Sequence, residues 1–83
     1  SLTIKKNQMR KAEFEVPSEV MAEFADEMVN RDLDNKVIGT NEDSEILVEV
    51  IYEKEESKSV DELEKILDNL REQMEEEEEE EDQ

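Results

Sequence analysis

Seven residues near the middle of the chain, Ile46-Leu47-Val48-Glu49-Val50-Ile51-Tyr52, limit what it can fold into more than any other stretch. They are the only run dominated by β-branched and aromatic side chains, the types that fit a pleated, half-buried surface. Side chains alternate along a strand, so Ile46, Val48, Val50 and Tyr52 point one way and Leu47, Glu49, Ile51 and Glu53 the other. Apolar residues on both faces suit the middle of a sheet better than its margin. The rest of the sequence reads as material for covering one side of this strand.

From about Met9, Ala12, Phe14 and Val16 alternate with Lys11, Glu13 and Glu15, the period-two pattern of a half-buried strand. Pro17 ends that strand and suits the first turn of a helix, where its missing N–H costs nothing. Val20, Met21, Phe24, Ala25, Met28 and Val29 recur as adjacent pairs four residues apart. They predict a helix to about Asn30 or Leu33 with one broad apolar face and Glu19, Glu23, Asp26 and Glu27 outward. Asn30 to Asn35 reads as its exit loop. Val37-Ile38-Gly39-Thr40 predicts a short edge strand whose glycine marks a bulge or bend. Asn41-Glu42-Asp43-Ser44 is turn chemistry and makes a hairpin of this strand and the central one. After a charged loop, Ser59-Val60-Asp61-Glu62 matches a capping box. Val60, Leu63, Ile66, Leu67, Leu70 and Met74 then form the stripe of a second helix.

The order β-α-β-β-α predicts an α+β fold. The expected architecture is a two-layer sandwich, a three-stranded antiparallel sheet of order 2-3-1 with two helices on one face. Residues 1–8 read as a basic N-terminal arm, loose or forming a short edge strand, and residues 9–74 as a single domain. Residues 75–83 read as a disordered acidic tail. Seven consecutive glutamates, Glu75 to Glu81, repel one another at the negative end of the helix dipole, so fraying is expected within a turn of Met74. A domain of this size buries only about 60% of its unfolded surface, so its core is small.

Charge narrows the function classes. The 28 acidic and 10 basic residues give a net charge of −18. The first twelve residues hold Lys5, Lys6, Arg10 and Lys11 and no acid, whereas the last nine hold eight acids. The body between them is itself strongly acidic. Such a surface opposes a direct grip on nucleic-acid phosphates, which needs clustered Lys and Arg, and opposes an anionic membrane surface. No apolar run approaches the roughly 20 residues of a membrane span. Residues 1–8 show no signal-peptide pattern, so a cytoplasmic protein is expected.

The catalytic inventory is thin. There is no cysteine, histidine or tryptophan, no Gly-rich phosphate loop, and no pair of carboxylates set apart from the many on the surface. Asp32-Leu33-Asp34-Asn35-Lys36 begins like a calcium loop. It fails, because Lys36 and Val37 stand where a ligand and a glycine are required. The expectation is a protein that is no enzyme, holds no cofactor and has no metal site.

What remains is a surface. With the helices over Ile46, Val48, Val50 and Tyr52, residues Leu47 and Ile51 lie on the open side of the sheet with Glu13, Glu15 and Glu49. Apolar side chains ringed by charge suit a protein contact. Leu47, Glu49, Ile51, Glu13 and Glu15 are therefore the candidate contact residues of a small acidic interaction module. Its partner would be a second copy, as a homodimer, or another protein, a basic one being favoured by the charge. Two alternatives stand beside it: a nucleic-acid mimic or antitoxin-like inhibitor of a basic protein, and a weak binder of divalent cations.

Overall fold

The computed structural model describes residues 9–81. The basic arm, residues 1–8, and the last two residues lie outside them. Three strands, β1 (Arg10–Val16), β2 (Asp34–Thr40) and β3 (Ile46–Tyr52), and two helices, α1 (Met21–Asn30) and α2 (Ser57–Glu81), follow one another as β1-α1-β2-β3-α2. The sheet order is β1-β3-β2, with β3 antiparallel to both neighbours. The apolar stretch thus takes the middle, as its two-faced pattern requires.

Side chains on one face of the sheet and the inner faces of both helices form a single core. Phe14, Val16, Val48 and Val50 from the strands meet Phe24 and Met28 of α1 and Val60, Leu63, Leu67 and Leu70 of α2. The Phe14 and Phe24 rings meet tilted at 58° with centroids 5.3 Å apart, a favoured edge-on geometry. Among the described residues no polar or charged one is buried. Val29, expected on the apolar face of α1, is 72% exposed: the helix ends on the next residue and Met28 alone of that pair turns inward.

Local chemistry explains where each element stops. Pro17 opens a single 3-10 turn, Ser18–Val20, ahead of α1. The end of α1 is a Schellman motif. Leu33 N–H donates to the Met28 carbonyl and Asp32 N–H to that of Val29, with Asp32 in the left-handed region at φ 56°. Leu33 and Met28 are both in the core, the apolar contact that usually accompanies this cap. Asp32 is therefore a helix-stop residue, and β2 starts two residues later, longer than the four-residue strand expected.

The β2–β3 register shifts between Val37 and Gly39, a bulge at the predicted glycine. The hairpin loop is a type I turn followed by a left-handed residue, Ser44 at φ 63°. The cap before α2 lies earlier than Ser59. Glu53 and Glu56 form the reciprocal capping box, Glu56 Oε1 accepting from Glu53 N–H at 2.9 Å, and a 3-10 turn leads into the helix at Ser57. At the far end, α2 runs on through Glu81, seven residues past Met74. Glutamate has high helix propensity, and extending a helix already nucleated by packing costs far less than starting one.

Candidate functional site

On the side of the sheet away from both helices, the register sets out three rows. Lys11, Ile51 and Asp34 form one, Glu13, Glu49 and Lys36 the next, and Glu15, Leu47 and Gly39 the third. The five candidate residues therefore share one face. Leu47, Glu49 and Ile51 are half-buried by their cross-strand neighbours, while Glu13 and Glu15 are exposed. Glu13 stands directly opposite Glu49, and like charges so placed repel. Lys36 Nζ, 3.5 Å from Glu49 Oε1 on the other flank, offsets part of that repulsion.

Glu15 is held to one end of the face. Its Oε2 accepts from Asn41 Nδ2 at 3.2 Å, and the same Asn41 amide donates to Glu45 Oε1 at 3.1 Å. Asn41 Oδ1 accepts from the N–H groups of Asp43 and Glu45, so one side chain both builds the hairpin turn and ties it to β1. Arg71 of α2 completes the cluster. Its Nη1 lies 3.1 Å from Glu45 Oε2, and its Nη2 donates to the backbone carbonyl of Glu15. The hydrogen bonds from Asn41 and then Arg71 hold the Glu45 carboxyl below the usual carboxylate range.

A second cluster joins the two helices. Arg31, just past the end of α1, bonds Glu27 Oε1 at 2.6 Å and Glu62 Oε1 at 3.1 Å. Both partners, Glu27 first, raise the Arg31 pKa further, so this cation is fixed at every accessible pH.

These contacts locate charge; they do not assemble chemistry. Among the described residues no group of three carboxylates is placed to hold a metal ion. Nor is any described helix long and apolar enough to cross a membrane. Val37 and Ile38 on β2 are the exposed apolar residues that the sequence pattern missed, at 61% and 44%. Val37 pairs with buried Val48 and so faces the helix side, but β2 lies beyond the edge of the helix layer. Only the sideways position of the helices decides that, and periodicity is blind to it.

No protein-family model, curated protein or solved structure matches this chain.

Proposed function

We propose that this chain is a non-catalytic, acidic protein-interaction module of the cytoplasm. It would dock a partner protein or a second copy through the open sheet face around Leu47, Glu49 and Ile51, with Glu13 and Glu15 beside them. The supporting observation is the placement of Leu47 and Ile51 on the side of the sheet on which neither helix packs, within a ring of charge. Two half-covered aliphatic side chains there gain from burial, at about 25 cal/mol per Å² of apolar area removed from water.

The reading is tested by capturing partners from the native cell with the intact chain and with Leu47→Glu and Ile51→Glu. Sedimentation of the same proteins alone reports self-association. A complex or dimer that survives about 0.5 M salt and is lost in both variants is the expected result. A complex indifferent to both substitutions removes the face from consideration.

A second reading draws on the continuation of α2 through Glu81, which presents seven successive glutamates on a rod. That supports a carboxylate surface standing in for nucleic-acid phosphates against a basic protein. Such binding would fall steeply between low and moderate salt and weaken when residues 75–83 are removed.

A further inference from the structure

The outer edge of β1 has the parts of a strand-acceptor site, separate from the open face. In the order β1-β3-β2, β1 is a margin of the sheet, and it pairs with β3 in unbroken register from Arg10 to Val16. The opposite margin, β2, is interrupted by its bulge, a device that discourages edge pairing. No such interruption protects β1.

Arg71 shows which backbone groups of β1 face outward. Its guanidinium donates to the Glu15 carbonyl from outside the sheet, so that carbonyl points away from β3. The N–H and C=O of one residue point to the same side of an antiparallel strand, and the side alternates with each residue. Glu13 and Lys11 therefore also present their backbone groups to the outer edge. Arg71 stops that row at Glu15. Among the described residues nothing closes it at Lys11 and Glu13.

Beside this edge runs a groove of about 490 Å³ between β1 and α2. Ala12, Phe14 and Leu67 supply its apolar floor, and Glu64 and Asp68 of α2 form its far wall. On the other side of the strand stand Glu13 and Glu15. An added strand would thus have carboxylates along both of its faces and main-chain partners between them.

We propose that this groove binds a basic, extended peptide segment of another protein, which adds to β1 as a fourth strand. Backbone pairing at Lys11 and Glu13 would set its register, and lysine or arginine side chains would meet Glu64 and Asp68 across the groove. Charge selects this occupant over a second copy. Two β1 edges pairing antiparallel would set Lys11 of one chain opposite a glutamate of the other, but the molecules that must meet each carry −18, whereas a basic peptide is drawn in.

The test is a nitrogen-15 NMR titration of the full chain with a synthetic seven-residue peptide of alternating lysine and valine. A second peptide is N-methylated at alternate amides, keeping its side chains and charge while losing one edge of backbone donors. The expected result is saturable shifts at Lys11 to Glu15 and at Glu64 and Asp68, with slowed exchange of the Lys11 and Glu13 amides. The N-methylated peptide should bind about tenfold more weakly or worse, and so should the first peptide to the exposed-surface variant Glu64→Lys/Asp68→Lys. Equal binding of the two peptides reduces the effect to charge and overturns the proposal. So do shifts confined to the Glu75–Glu81 end of α2, no saturable shift at millimolar peptide, or Lys11 and Glu13 amides already protected in the free chain. None of these outcomes depends on Leu47 or Ile51, so the open face stands or falls by its own experiment.

Discussion

Among the described residues, Glu45 is the carboxylate whose proton affinity the fold alters most clearly, and its effect on stability has a definite sign. Hydrogen bonds from Asn41 and Arg71 lower its pKa in the folded chain below that of the unfolded chain. Its contribution is therefore complete above the ordinary carboxylate pKa and disappears as pH falls through the lowered folded value. Acid also relieves repulsion among the other carboxylates, which acts in the opposite direction, so a comparison isolates the residue. Urea unfolding of the native chain and of Glu45→Gln between about pH 7 and about pH 3 should show the native chain losing its advantage on acidification. A constant difference across that range would show that the two hydrogen bonds do not favour the ionised form. Asp32 gives a second prediction at this scale. It holds a left-handed conformation that costs glycine nothing, so Asp32→Gly should stabilise the chain by about 0.5–1 kcal/mol in denaturant titrations.

Among the elements, the bulge on β2 carries a separable cost. Gly39 has φ 156°, and a Cβ built there meets nothing within 4 Å. Gly39→Ala should therefore destabilise the chain by about 1–2 kcal/mol through backbone strain alone, read as a lower urea midpoint with unchanged slope. A neutral result would mean that the bulge relaxes into an ordinary register. This glycine was legible in advance because its neighbours fixed a strand on either side of it. The alternation of Ala12, Phe14 and Val16, the Asn41–Ser44 turn and the central place of Ile46–Tyr52 were legible for the same reason: each depends on neighbours a few residues away. The cap of α2 was not. Ser59 and Glu62 fit the pattern, but Glu53 and Glu56 fit the geometry, since β3 ends at Tyr52 and the chain turns immediately. The shared face of Leu47, Glu49, Ile51, Glu13 and Glu15 follows from period two and a register centred on β3. The tie from Glu15 to Asn41, the lock of Arg71 and the groove along β1 required knowing which helix lies over which strand. That is set by tertiary packing between residues up to 56 apart.

Over the whole molecule, self-repulsion should govern the response to salt. With 28 acids against 10 bases, screening removes more unfavourable than favourable interaction. Raising sodium chloride from about 20 mM to about 500 mM should raise the thermal midpoint by about 5 °C, corresponding to about 1 kcal/mol. A fall instead would mean that the Arg31 and Arg71 clusters outweigh the net charge. The overall form is drawn out by α2, whose 25 residues span about 37 Å. The principal extents are 60 × 24 × 14 Å, and the radius of gyration is 14.9 Å, against about 12 Å for a rounded domain of this length. With seven of its glutamates in a row at the end of α2, the molecule's charge is unevenly placed along that long axis. A cationic surface exerts a torque on such a body before touching it, and swings it so that the glutamate tip arrives first. Collisions are then filtered by angle as well as by distance.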